Sequence, residues 1–262
     1  MQSAIRDHAA TCAALHCCTT PAYAATALNC SLDTAAAALR HAVSAGLFRR
    51  VLLSGLGRVA CYQPTAKAAG IGSRSAAKFL RAGASAAAIW RGLLRGGAVF
   101  AVHGKEWLTV DAQALLREQH GIPHAGHADP LVALDRAEHH HIYVPVPPVQ
   151  AGQSASIIAN AAARWLPLLE QGAAHLHFIA AAGCSADAVN AALAEFAPDT
   201  QGDVSRELAE LDARIEADKT GLARVQLARR RAELAVALAP VQADMIAGTF
   251  PWLAQEVVEV QL

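Results

Sequence analysis

The sequence predicts a two-part α+β chain: three short helices and a β-hairpin, then a small α/β unit with a long amphipathic helix behind it. Three observations lead there. Basic charge is concentrated in the first 110 of the 262 residues, where twelve Lys/Arg face three acids, a net of +9, and the remaining residues carry −9. Helix-start and helix-stop residues recur at short intervals as far as Gly46, and two β-prone runs follow them. Beyond residue 97, β-prone runs alternate with helical periodicity, the pattern of an α/β layer. A charge split between two halves points to units with different partners, the basic one suited to a polyanion.

Composition narrows the class further. An apolar fraction of 54% supports a sizeable core, and a charged fraction of 17% of mixed sign excludes a disordered chain. No run reaches about 18 apolar residues without a charge or a turn signal, so no membrane span is expected. The first 18 residues contain Arg6 and Asp7 and no apolar core before a cleavage site, so a secretory signal is not expected and residence is expected to be cytoplasmic. Six cysteines (Cys12, Cys17, Cys18, Cys30, Cys61, Cys184) form no CxxC pair. In a reducing compartment they read as small buried apolar residues rather than disulfides or zinc ligands.

The elements of the first unit follow from local signals. Residues 4–17 place Ile5, Cys12 and Leu15 among small residues, a first helix. Thr20 before Pro21 caps a second, over 21–28, since Thr accepts from the first-turn amides and Pro is preorganised there. Ser31 or Asp33 caps a third, to about Ala45, which Gly46 ends. Residues 47–53 (LFRRVLL) and 58–63 (RVACYQ) are β-prone on either side of the Ser54-Gly55-Leu56-Gly57 turn.

Helix, helix, turn, helix and hairpin is the order of a winged helix-turn-helix domain, here spanning residues 1–70. In that arrangement the third helix, with Thr34, Arg40, His41 and Ser44, lies in the major groove of double-stranded DNA, and Arg49, Arg50 and Arg58 face the phosphates from the wing. The four successive alanines Ala35 to Ala38 leave little for base readout, so modest specificity is expected. SLDTAAAALRHAVSAGLFRRV followed by GRVACYQPTAKAAGIG resembles winged-helix regulators of the broad MarR-like and plasmid-replication-regulator kind, with Gln63-Pro64-Thr65 standing where Leu-Thr is usual.

Residues 73–95 read as one or two basic helices with an apolar stripe at Phe79, Leu80, Ile89, Trp90, Leu93 and Leu94, a linker over 71–97 ended by Gly96-Gly97. A short strand over 98–103 and a helix over about 110–120 come next. Strands at 131–134 and 141–146, a helix over 154–170, a strand at 174–182 and a helix over 185–196 complete an α/β unit spanning 98–202. Trp107-Leu108-Thr109, Gly121-Ile122-Pro123, Ala128-Asp129-Pro130-Leu131, the IYVPV strand and Arg164-Trp165 resemble the restriction-endonuclease-like core. The two units in this order resemble the replication-relaxation family of plasmid and integrative-element proteins.

A nuclease of that fold needs an acid at the end of one strand, and an acid plus Lys on the next, to hold Mg²⁺ and orient water. Asp129 could be the first, but residues 141–150 hold neither acid nor Lys, and the lysines are Lys67, Lys78, Lys105 and Lys219. The constellation is incomplete, so the domain reads as inactive and the chain as no enzyme. His124, His127, His139 to His141, His175 and His177 could gather with Asp129 around zinc or iron, but packed or exposed histidines are the preferred reading. No cofactor, catalytic residue or metal ligand is therefore assigned.

Residues 203–239 carry Leu208, Leu211, Ile215, Leu222 and Val225 at three- and four-residue steps, fitting a coiled coil between subunits or a helix lying on its own domain. A final strand is expected in EVVEVQL. The preferred reading is a homodimeric, non-enzymatic protein that binds double-stranded DNA, a transcriptional regulator or an accessory factor of plasmid replication or transfer. Three alternatives stay open: a metal-dependent nuclease or relaxase, a ligand-responsive regulator with a pocket lined by Trp165 and Tyr143, and a protein-binding adaptor.

Overall fold

The structure is a computed structural model that describes residues 2–53, 60–102, 104–123, 130–169, 174–195, 210–215, 217 and 257–261. Helix α1 (Gln2–Ala14) buries Ile5, His8, Ala9 and Cys12, a stripe at three- and four-residue spacing. Helix α2 (Pro21–Leu28) starts as its sequence dictates: the Thr20 hydroxyl accepts the Tyr23 amide and Pro21 fills the first position. Helix α3 (Leu32–Ser44) is capped by Ser31, whose hydroxyl accepts the Thr34 amide, and is followed by Gly46 at φ +73°. Strands β1 (Phe48–Val51) and β2 (Cys61–Pro64) pair antiparallel, Arg49 opposite Gln63. Leu39, Phe48 and Tyr62 close the core of this unit over the small faces of Ala9, Ala24, Ala35 and Ala42. The turn at 54–57 and Arg58 lie outside the described residues.

The expected linker is not a spacer. Residues 73–85 run mostly through turns, with a 3₁₀ turn at Lys78–Leu80, and helix α4 (Ala86–Ala101) then continues straight through Gly96-Gly97, so the strand expected at 98–103 is helical as far as Ala101. The glycine pair reads as a breaker because glycine costs about 1 kcal/mol in a helix interior. Here it is a notch. A Cβ at Gly96 would strike the carbonyl oxygen of Cys18, and one at Gly97 would strike Val260. The stripe Phe79, Leu80, Ile89, Trp90, Leu93 and Leu94 is buried throughout, in a core that α4 shares with both the helical unit and the sheet.

The sheet runs β3 (Glu106–Trp107), β4 (Leu131–Leu134), β5 (His140–Val146), β6 (Ala174–Ala181), β7 (Val258–Val260). Its β3–β4–β5 part is antiparallel and its β5–β6–β7 part parallel, so the architecture is mixed α+β. Alternation along the strands makes two faces. Val132, Ile142, Val144, Leu176 and Phe178 pack against helices α5 (Val110–Gln119), α6 (Ser154–Leu169) and α7 (Ala186–Glu195). Leu131, Ala133, Tyr143, Ile179 and Val260 pack against α4. The Tyr23 hydroxyl donates to the Gln261 carbonyl at 2.9 Å and ties the first unit to the far edge of the sheet.

Of the expected C-terminal helix, residues 210–215 and 217 are helical with Leu211 buried; Leu208, Leu222 and Val225 lie outside the described residues. Among the described residues no helix is long and apolar enough to cross a membrane. All six cysteines are free thiols; Cys12, Cys17, Cys18 and Cys61 are buried as expected, whereas Cys30 is half-buried and Cys184 exposed. Burial pushes the Cys17 thiol up to about 12 and raises those of Cys12 and Cys18, so these three behave as apolar filler and not as nucleophiles.

Candidate functional site

Burial of one side of α3 defines the other. With Ala35, Ala38, Leu39 and Ala42 inward, Thr34, Ala37, His41 and Ser44 form one exposed line at helical spacing and Arg40 stands beside it. Two of these groups are engaged locally, since the Thr34 hydroxyl meets the capping Ser31 hydroxyl at 2.8 Å and the Ser44 hydroxyl donates to the Arg40 carbonyl. Arg40 and His41 are the long polar side chains of that surface.

On the hairpin, alternation separates the two arginines. Arg50 is exposed, while Arg49 is half-buried and its Nη2 donates to the Leu80 carbonyl at 2.7 Å. Arg58 lies outside the described residues. Other cations of the basic half are likewise engaged within the chain. Lys67 donates to the Ala45 carbonyl behind α3, Arg81 to the carbonyls of Ala76 and Arg74, and Arg95 is 6% exposed. Arg6, Arg40, Arg50, Arg74 and Lys78 are exposed, and Lys67 and Arg81 are exposed as well despite those bonds. The +9 excess therefore overstates what the surface offers a polyanion.

A second constellation forms on the sheet face that α4 leaves uncovered. Parallel register sets His141 opposite His175 and Tyr143 opposite His177, and two-residue alternation puts His139, His141 and Tyr143 on one side. The rings make a continuous row: His139 against His175 at 6.2 Å between centroids, His141 against His175 at 5.3 Å and against His177 at 5.1 Å, Tyr143 against His177 at 4.7 Å, and Trp107 against Tyr143 at 5.2 Å. His124, His127 and Asp129 lie outside the described residues.

Polar partners lock the row from one end. Asp135, in the β4–β5 connection, accepts the amides of Ala137 and His139 on Oδ1 and turns Oδ2 to His141 Nε2 at 3.0 Å and Lys105 Nζ at 3.7 Å. His141 Nδ1 meets His177 Nε2 at 2.9 Å, and Lys105 Nζ reaches His141 Nε2 at 2.7 Å. The hydrogen bond from His141, with the two amides and Lys105 behind it, holds the Asp135 carboxyl well below the usual carboxylate range. Burial depresses His141 against the pull of Asp135, and burial with the charges of His141, His175 and Lys105 lowers His177 to about 4.

His141 Nε2 can donate to Asp135 or accept from Lys105, so each of two proton arrangements satisfies part of this network. With Nε2–H of His141 given to Asp135, Nδ1 accepts from His177. With Lys105 donating to a bare Nε2, His141 Nδ1–H donates to His177 instead. In either arrangement His141 spends both nitrogens within the protein. Among the described residues no group of three His, Cys, Asp or Glu side chains is arranged to hold a metal ion. The four histidines are visible in the sequence as two alternating pairs. Asp135 and Lys105 were missed, because only the sheet register and the tight connection after β4 bring them to the row.

The pocket expected between Trp165 and Tyr143 does not form. Trp165 packs with Ile142 and Val144 beneath α6, whereas Tyr143 belongs to the opposite face beside α4, the outcome of strand alternation. No protein-family model, curated protein or solved structure matches the chain.

Proposed function

We propose that the chain binds double-stranded DNA, with the exposed line of α3 in the major groove and the β1–β2 hairpin along the backbone. The observation that supports this most is the face of α3: capped, fixed from behind by a buried alanine-rich stripe, and presenting Arg40 and His41 outward, with Arg50 exposed on β1. A rigid helix with a short apolar back and a basic front suits major-groove docking. In this reading Arg40 and His41 approach base edges and Arg50 a phosphate, while Arg49 supports the hairpin through Leu80. The regulatory or plasmid-accessory role and the pairing of two copies belong to the same proposal and draw on the resemblance of about residues 10–70 to winged-helix regulators and of the two units in order to the replication-relaxation family.

The test is a titration of the full chain against a fragment from its own upstream region and against random DNA, over a salt series. Expected are binding that weakens steeply with salt and a preference for the upstream fragment. Arg40→Ala should reduce that preference by about 1–3 kcal/mol. Absence of salt-sensitive binding at low ionic strength would refute the proposal.

A further inference from the structure

The end of the sheet away from the histidine row carries a cleft of about 200 Å³. Its walls come from three elements: Arg91 of α4, Val144 and Pro145 near the C-terminal end of β5, and Ile157 and Arg164 of α6. Ile157 and Arg164 are seven residues apart and so share the flank of α6 next to its buried stripe. Gln150, in the 3₁₀ turn after β5 (Pro148–Gln153), completes the floor and accepts a hydrogen bond from Arg91 Nη2 at 2.9 Å.

Two features separate this cleft from an ordinary surface groove. Both guanidinium groups are half-buried, and burial depresses the pKa of Arg91, so the site holds positive charge at a cost in hydration. Among the described lining residues no carboxylate offsets that charge; the other polar groups are the amides of Gln150 and Asn160, the latter giving one N–H to the Ser156 hydroxyl at 3.1 Å. Position adds a second argument. The cleft opens outside the carboxyl end of a strand that enters a β–α–β crossover, where open sheets place small ligands.

We propose that this cleft binds a small metabolite bearing a carboxylate or phosphate, its oxygens held between Arg91 and Arg164 and its short apolar body against Ile157, Val144 and Pro145. Guanidinium groups match both oxyanions through paired N–H donors. A volume below the roughly 300–1,000 Å³ of sites for drug-sized ligands restricts the ligand to metabolite scale. The site is independent of the DNA reading. Its regulatory use rests on that reading: α4, which supplies Arg91, also supplies the notch at Gly92 and Gly96 on which Cys18 of the helical unit rests, so a ligand gripping Arg91 acts on the helix that carries the proposed reading head.

The experiment is calorimetric titration of the full chain with inorganic phosphate and, separately, with succinate, at fixed ionic strength against chloride. Saturable binding of either probe is expected; phosphate alone would mark a phosphoryl ligand and succinate alone a carboxylate ligand. Arg164→Gln, at a half-buried position on a long helix, should fold and lose at least about tenfold in affinity. Asn160→Asp, which places a negative charge in the cleft, should abolish binding in a chain whose circular dichroism is unchanged. Saturation by neither probe, or equal affinity in both variants, would overturn the proposal. DNA titration of the same samples is read separately, so failure of one reading leaves the other standing.

Discussion

His8 offers the most direct check on how the first unit is built. It sits on α1 at 6% exposure, its Nε2 3.0 Å from the Thr19 hydroxyl and its ring against Phe48 and Phe100. With the Thr19 hydroxyl giving its hydrogen to the Thr20 carbonyl, its oxygen is free to accept from Nε2–H of the imidazole. Burial lowers its pKa from 6.5 to about 4. A histidine depressed in the fold contributes its full stability above the unfolded value and loses it on acidification. Below 6.5 the unfolded chain takes up a proton that the folded chain refuses until about 4. Between about pH 7 and about pH 5 this single group should remove about 2 kcal/mol of unfolding free energy, approaching about 3 kcal/mol below pH 4. The perturbation is His8→Gln, which keeps an N–H within reach of Thr19 and has nothing to titrate. Urea unfolding of both proteins at the two pH values isolates the term, because every other histidine is common to both. Expected is a stability gap between wild type and variant that shifts toward the variant by about 2 kcal/mol on acidification. A gap that stays constant would refute the buried neutral imidazole and the packing drawn around it.

Two further outcomes follow from contacts described above. Gly96→Ala, a change that ordinarily stabilises a helix interior by about 1 kcal/mol, should instead cost about 1–3 kcal/mol because the new methyl meets the Cys18 carbonyl; a raised unfolding midpoint would contradict the notch. The adjacent arginines of β1 should behave oppositely. Arg50→Ala should lower the salt slope of DNA binding by about one and leave unfolding unchanged, whereas Arg49→Ala should cost about 1 kcal/mol of stability through its lost bond to Leu80 and leave the slope alone.

What the sequence reveals and what it hides divide along the range of the signal. Helices α2, α3 and α5 carry their caps in the chain, at Thr20, Ser31 and Thr109, and each begins where the cap dictates. The strands at β4, β5 and β6 fall within a residue or so of their β-prone runs, since alternation there is local. The course of α4 is hidden because Gly96-Gly97 has the same letters whether it breaks a helix or admits a neighbouring backbone, and the neighbours, Cys18 and Val260, are remote in sequence. Strand β3, two residues long, is defined by its partners Ala133 and Leu134 rather than by propensity. The site reading was incomplete for a related reason. A count of cations does not tell Arg50, exposed, from Arg49, which is half-buried and satisfies a backbone carbonyl; nor does spacing announce that Lys105, Asp135 and His177 meet at His141.

The bond from Tyr23 to Gln261 joins positions 238 residues apart. Local helices form in microseconds, but at a synthesis rate of about 5–20 residues per second the partner of Tyr23 emerges about ten to fifty seconds after it. From the moment Gly97 is made until Val260 follows, the groove at Gly97 that Val260 will fill stands open on the nascent chain. The order of translation therefore gives the growing polypeptide a prolonged stage in which its first helices are formed and its central seam is not, and it is then that the chain is most exposed to chaperones, proteases and other copies of itself.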